Sequence, residues 1–298
     1  MGVLEDLRKF AASVAASARY VHLQRDAVQA YARSLPLERA RTPTLDPATH
    51  YLGELDQTLA FVVTLDAINF GSGYFPRLRK RSGLSGYFTV ASGLKEAWPL
   101  SVDELAQLTP HTCACIFQQP MGDPAVAELM GLFARALNDL AACVRRHGGF
   151  RKLVDAAESS AERLVTVLAE MPFYRDVPFY KRAQLTAADL ATAGVATFDD
   201  LNRLTIFADN LVPHVLRVDG VLRYDAELLA RINREELLEP GSREEVEIRA
   251  CALHAVELIA DALDRTVSAI QLDYLLWNLG QQPMYKAQPG HRARSVYY

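Results

Sequence analysis

Asp209 stands in the run Ile206-Phe207-Ala208-Asp209-Asn210-Leu211-Val212-Pro213-His214, a carboxylate in an otherwise apolar stretch. A helix through these residues is expected to kink, because Pro213 offers no N–H to the Asp209 carbonyl four residues earlier. Beside such a kink, next to Phe207, a carboxylate can stabilise developing positive charge or serve as a general base. It can equally cap or pair within the frame of the fold, and the residues alone favour that use. His111-Thr112-Cys113-Ala114-Cys115 gathers an imidazole and two thiols, all of them zinc ligands. The spacing is short of what structural zinc sites use, and Cys143 and Cys251 are scattered, so buried thiols are expected and no metal. Arg77-Leu78-Arg79-Lys80-Arg81 puts four positive charges in five residues, enough to meet a phosphate or a tRNA. In an acidic chain its simpler reading is a solvated surface turn. No nucleophile elbow, phosphate-binding glycine loop or HExxH pattern occurs, and no cofactor is expected.

Composition narrows the function classes further. Half of the 298 residues are apolar and 23% are charged, a globular balance, and the net charge of −4 supplies no positive field for long nucleic acids. The longest uncharged stretch, Leu105 to Gly122, carries Pro110, His111, Gln118 and Pro120, so no membrane span is expected. Glu5, Asp6, Arg8 and Lys9 occupy the place of a secretory signal's apolar core, and four cysteines without CxxC spacing suit a reducing compartment, so the chain is expected in the cytoplasm.

The elements that must carry these residues read as helices. Apolar positions recur at three and four residues over Val3–Ala18, Val21–Leu35, Leu52–Asp66, Ser101–Leu108, Pro124–Arg146, Val154–Glu170, Thr186–Ala193, Phe198–Val218, Ala226–Arg234, Ser242–Leu263 and Thr266–Leu279. Pro36 and Arg41-Thr42-Pro43 end the second of them. The Asp219-Gly220 pair between alternating runs asks for a hairpin over Val215–Tyr224. Helical periodicity through Val218 overrides it and leaves Gly220 as a left-handed cap residue. The expectation is one mostly α domain over residues 1–298.

Further groups of residues, taken together, resemble the queuosine salvage proteins. They are Phe179-Tyr180-Lys181-Arg182-Ala183-Gln184, Phe207-Ala208-Asp209, Glu245-Val246-Glu247-Ile248-Arg249, Leu272-Asp273-Tyr274 with Trp277, and His291-Arg292-Ala293-Arg294-Ser295-Val296-Tyr297-Tyr298. Asn69-Phe70 and Ser85-Gly86-Tyr87 extend the likeness into the amino-terminal half, so it covers nearly the whole chain. The short spans between Gly194 and Phe198 and between Asp264 and Gln271, and Gly71-Ser72-Gly73 after Asn69-Phe70, depart from the family's pattern.

That resemblance implies hydrolysis of queuosine 5′-monophosphate to queuine and ribose 5-phosphate. It implies an all-helical fold similar to helix-hairpin-helix DNA glycosylases, with the hairpin near residues 186–220 and Asp209 as the catalytic carboxylate. Lys181 is the first cation for the 5′-phosphate, with His50, Arg292 and Arg294 behind it. Queuine bears a secondary ammonium and N–H donors, so further carboxylates are expected in the pocket, and Glu247 and Asp273 are the candidates; Glu247 with Arg249 can instead form a buried ion pair. Phe70 and Phe207 can stack on the base or simply fill the core, Asn69 belongs to the pocket wall, and His254 reads as a core histidine. The partners are then a small nucleotide and its free base, for a monomer with no stable nucleic-acid or membrane partner. Two other readings stay open: a non-enzymatic carrier of queuine or a related nucleotide, and a DNA base-excision glycosylase.

Overall fold

A computed structural model describes residues 2–40 and 43–298. Fifteen α-helices, four short strands and four 3₁₀ turns are found among the described residues, so the chain is mostly helical. It divides into two compact units, one of Met1–Pro43 with Asn202–Arg294 and one of Thr44–Leu201 with Ser295–Tyr298. The first unit opens with α1 (Val3–Ser17) and α2 (Arg25–Ser34). The second holds α3 (Leu55–Ala67), α4 (Gly86–Ala97), α5 (Val102–Ala106), α6 (Pro110–Ile116), α7 (Pro124–His147), α8 (Phe150–Asp155), α9 (Ala161–Leu168) and α10 (Lys181–Thr192). The chain then returns to the first unit for α11 (Leu211–Val218), α12 (Ala226–Asn233), α13 (Arg243–Ala262), α14 (Ala269–Leu279) and α15 (Pro283–Lys286).

In the first unit α13 is the hub, packed against α1, α2, α11 and α14. It starts where the Ser242 hydroxyl accepts the Glu245 N–H, a cap that satisfies one of the donors left open at any helix start. Its buried side chains include Ile248, Leu253, Val256 and Ile259, together with Glu245, Glu247, Arg249 and Glu257. Four buried charges on one helix need partners, and each has one: Glu257, for example, accepts from Arg8 Nε at 2.9 Å and from Arg265 Nη1 at 3.0 Å. Strand β1 (Val21–Leu23) pairs antiparallel with β2 (Leu222–Tyr224), and β3 (Leu237–Leu238) pairs parallel with β4 (Arg292–Ala293).

The second unit is organised by α3 and α7. Every residue of α3 from Thr58 to Ala67 is buried, so it is covered on all sides, and α4, α7, α8 and α10 pack on it. Helix α7 has a clear start and stop: Asp123 caps it, Pro124 occupies its first position, and Gly148 ends it at φ +84°. No helix among the described residues is long and apolar enough to cross a membrane.

Several sequence expectations change. Residues 21–23 are strand, because their partner is the distant 222–224 segment. The 154–170 helix is two helices, broken at Glu158 and Ser159, whose φ of 49° and 60° no helix tolerates. The 198–218 helix is a 3₁₀ turn at Leu201–Arg203, an irregular buried run over 204–208, and then α11. Asp209 therefore precedes a helix, and Pro213 sits in its first turn, where a missing N–H breaks no bond, so there is no kink. Gly220 does take the left-handed conformation, at φ +79°. Of the break at Arg41-Thr42-Pro43, the first two residues lie outside the described residues.

Candidate active site

Residues 204–208 are buried without regular structure, so their polar backbone must find side-chain partners. Asp273 on α14 accepts the Phe207 N–H at 2.9 Å. Arg249 on α13 donates from Nε to the Ala208 carbonyl at 2.7 Å, and its charge is met by Glu245 at 3.5 Å. The next residue, Asp209, is half-buried, and its Oδ1 accepts the Leu211 N–H at 2.9 Å, at the amino end of α11. Its Oδ2 has no hydrogen-bond partner among the described residues. One oxygen is thus anchored where helix N–H groups favour a negative charge, and the other is left for chemistry. Asp209, Phe207, Arg249 and Asp273, chosen from the sequence, do come together here. Arg249 and Asp273 have a part the sequence did not suggest, since both hold the backbone that presents Asp209.

An open cleft of about 190 Å³ adjoins this segment, with Asn210, Leu211, His214, Lys286, His291 and Arg292 among its lining residues. Arg292 is half-buried and reaches Glu235 at 3.3 Å. His214 Nε2 lies 2.9 Å from the Tyr285 carbonyl, and burial lowers its pKa. His291 is 1% exposed, and burial, with Arg249, His214 and Arg217 near it, takes its pKa down to about 3. Both histidines are neutral at physiological pH, leaving Arg292 and Lys286 as the cleft's fixed cations. Arg294 is exposed and does not line it.

Three expected ligand residues are committed elsewhere. Glu247 accepts the backbone N–H groups of Arg19, Tyr20 and Val21 and the Arg243 Nε, a set that fills both of its oxygens. Burial pushes its pKa up, but these donors outweigh burial and hold it below the usual carboxylate range. His50 bonds through Nδ1 to Thr49 and the Asp46 carbonyl and through Nε2 to Tyr87. Burial lowers its pKa, so it offers no cation to a phosphate. Phe70 is 1% exposed, with Phe133 edge-on at 5.2 Å, Phe173 at 5.8 Å and the Arg182 guanidinium 4.8 Å from its centroid, so no face remains for a base. Phe207 is buried edge-on against Tyr274 at 5.9 Å.

In the second unit the sequence found Asn69 and Lys181 but missed what surrounds them. Lys181 opens α10 after Tyr180, whose φ is +50°, and its N–H reaches Asp176 at 3.2 Å. It is buried, and its charge acts on Asp66, near the end of α3, and on Asp189 of α10. Burial pushes Asp66 up to about 7, against the lowering effects of Asn69, Lys181, Thr186 and Arg182. Asp189 is raised too, by burial and then by Asp66. Lys181 is only 5% exposed, so it presents little of its charge to an arriving phosphate. Each acid lies in an apolar helical run, which is the signal that singled out Asp209 and would have found them. Arg182, fully buried, donates to the carbonyls of Asp66, Ala67, Phe173 and Val296 and sits over Tyr174 as well as Phe70.

The other candidates are quickly placed. His111 and Cys115 are exposed while Cys113 is buried, and no group of three metal-ligating residues forms among the described residues. In the basic run Arg77 pairs with Asp123 at 2.6 Å and Arg81 with Glu96, as a solvated turn would.

Residues 49–298 match the queuosine salvage protein family. A protein of Sphaerobacter thermophilus named queuosine 5′-phosphate N-glycosylase/hydrolase is 34% identical over 100% of this chain and 98% of its own length. Proteins of the same name from Bos taurus, 37% identical over 51% of this chain and 52% of theirs, and Dictyostelium discoideum, 29% over 81% and 78%, are also similar.

Proposed function

Since this chain belongs to the queuosine salvage protein family, we infer that it is an N-glycosidase that hydrolyses queuosine 5′-monophosphate to queuine and ribose 5-phosphate. The observation that carries the chemistry is Asp209, with one oxygen tied to the start of α11 and the other open, on a segment clamped by Asp273 and Arg249. Queuine has carbon where a purine has N7, so the leaving base cannot be activated by protonation there. More of the barrier must fall by stabilising the sugar. As the bond from the anomeric carbon to the base nitrogen breaks, its electron pair leaves with the base and positive charge grows on the anomeric carbon and ring oxygen. The Asp209 carboxylate stabilises that charge and takes a proton from the attacking water, whose oxygen bonds to the anomeric carbon. The proton taken up by Asp209 is then passed, through solvent, to the departing base nitrogen, so that the hydroxyl of the water ends on the sugar and its proton on queuine.

In this reading Arg292 and Lys286, in the cleft beside Asn210 and Leu211, meet the 5′-phosphate. The protein works as a cytoplasmic monomer, without a metal or a stable nucleic-acid partner, and returns queuine for tRNA modification. The likeness to helix-hairpin-helix glycosylases belongs to the same reading. It is supported by α10 ending before Gly194, at φ +69°, and by the reactive acid lying further along the chain.

Incubation with queuosine 5′-monophosphate, queuosine and damaged duplex DNA, with free base read by chromatography, tests the reaction. The nucleotide should be cleaved far faster than the nucleoside and the DNA not at all. Asp209→Asn keeps the shape and removes the charge, so turnover should drop by about 10³ or more while melting temperature and queuine binding hold. A well-folded Asn variant with near-normal rates removes Asp209 from the mechanism. Arg292→Ala should erase the preference for nucleotide over nucleoside, and Lys181→Ala should keep it.

A further inference from the structure

Asp219 follows the last turn of α11, the end where a helix disfavours negative charge, and among the described residues no Lys or Arg pairs with it. Its partners are two tyrosine hydroxyls: Tyr31 of α2 donates to Oδ2 at 2.6 Å, and Tyr285 of α15 donates to Oδ1 at 2.9 Å. Burial, and then Asp219, pushes the Tyr285 hydroxyl up to about 12, so it stays a donor. Two more residues of the same helix hold the chain around Tyr285. His214 Nε2 meets the Tyr285 carbonyl at 2.9 Å, and Arg217 Nη2 donates to the Pro289 carbonyl at 3.1 Å and to His214 Nδ1 at 3.2 Å. With Nδ1 accepting, the imidazole proton sits on Nε2 and points at the Tyr285 carbonyl. We propose that Asp219 is a positioning residue that, through Tyr285, sets the cations of the cleft and with them the preference for a 5′-phosphorylated substrate. This rests on the functional reading above in placing the phosphate at Lys286 and Arg292.

The cationic segment needs such a tie. Helix α15 has four residues, too few to hold themselves by their own hydrogen bonds, and Tyr285 is buried while Pro283, Met284 and Lys286 are exposed. The chain stays exposed through Gln288, and burial resumes at His291, beside Arg292. Cations on a loose segment are ordered only when the phosphate arrives, and that cost is taken from the binding. Tied at Tyr285 and Pro289, the segment presents Lys286 and leads into Arg292 with the ordering already done. Helix α11 also takes the Asp209 carboxylate on its Leu211 N–H, so one rigid element carries both the reacting acid and the ties of the cationic segment. The span from anomeric carbon to phosphorus is set by the substrate's own bonds, and a fixed span in the protein selects for it.

Two variants separate positioning from plain support of the fold. Tyr285→Phe removes the hydroxyl and leaves the ring, and Tyr31→Phe removes the other hydroxyl on Asp219, which leads to α2 and not to the cleft. The full chain is assayed for kcat and KM with queuosine 5′-monophosphate and with queuosine, and melted on the same preparations. Both variants should melt lower by similar amounts, since each loses a hydrogen bond to one carboxylate. The preference for nucleotide over nucleoside, as a ratio of kcat/KM, should fall about tenfold in Tyr285→Phe, with most of the change in the KM of the nucleotide, and hold in Tyr31→Phe. Inhibition by ribose 5-phosphate should weaken in Tyr285→Phe alone. Asp219→Asn keeps one acceptor oxygen, so it should lose part of the preference, and it decides the matter should Tyr285→Phe fail to fold. A preference that survives in both of these variants, or that falls equally in Tyr31→Phe, overturns the proposal. Where Arg292→Ala loses the preference and Tyr285→Phe keeps it, only this inference falls. Where Arg292→Ala keeps it too, the phosphate site falls as well, and an unmodified protein that cleaves neither substrate takes the whole functional reading with it.

Discussion

Glu247 in the first unit and Asp66 in the second are buried alike, at 2% and 1% exposure, and end in opposite states. Glu247 gathers three backbone N–H groups and Arg243 and is held below the ordinary carboxylate range although burial pushes it up. Asp66 keeps an oxygen unmet, and burial prevails over its neighbours. Burial therefore does not decide what an acid is for. The count of donors within reach does, and it separates a carboxylate held in its charged form from one that burial holds toward its protonated form.

The largest effect expected from breaking this contrast is on Glu247. Glu247→Gln removes the charge that four donors converge on and turns half of its acceptor capacity into a donor, so stability should fall by about 3 kcal/mol. Urea unfolding measures it, and a loss under about 1 kcal/mol would put Glu247 outside the frame. The pH dependence has a definite sign: a lowered carboxylate adds stability above its unfolded value, near 4.5, and that stability is lost as pH falls through the folded value.

A smaller effect of opposite sign is expected at Asp66. Its raised folded value means that its contribution is fully present only below about 3.8 and is lost as pH rises through about 7. Asp66→Asn should therefore melt higher than the unmodified protein above pH 7, by about 2 kcal/mol, and the difference should shrink toward pH 4. Melting curves across that range check it; a variant less stable at pH 8 than at pH 5, relative to the unmodified protein, would make Asp66 a frame residue like Glu247. The smallest effect is expected where a carboxylate has a partner but no burial. Arg77→Gln leaves Asp123 capping α7 and breaks only an exposed pair, so stability should change by less than about 0.5 kcal/mol and hydrolysis not at all.

Helices α1, α7, α12 and α13 are legible within a residue or two, because each buries one side of a regular 3.6-residue pattern or carries clear capping residues. What misleads is apolar sequence in irregular chain. Residues 204–208 are apolar because they are buried, and the side chains that replace their missing helix bonds, Arg249 and Asp273, lie 41 and 66 residues away from their partners. Local periodicity cannot see such partners, nor can it see that Val21–Leu23 waits for Leu222–Tyr224. Asp209 stands out as a carboxylate in an apolar run, and so do Asp66 and Asp189, although the neighbouring Asn69-Phe70 and Phe179–Gln184 groups draw the eye first. Glu247 reads as a charge in search of a ligand, when its use is set by the chain at residues 19–21.

Arg182 ties residue 296 to residues 66, 67 and 173, and the Gly71 N–H reaches the Tyr298 carbonyl. During synthesis the first 201 residues emerge well before these partners exist. The middle of the chain must wait, with a buried guanidinium short of a carbonyl, until residues 295–298 have left the ribosome. The first unit waits in turn for residues 202–294 to join its opening helices. Each unit therefore takes in chain from both ends of the sequence, and each is complete only with residues near the carboxy terminus.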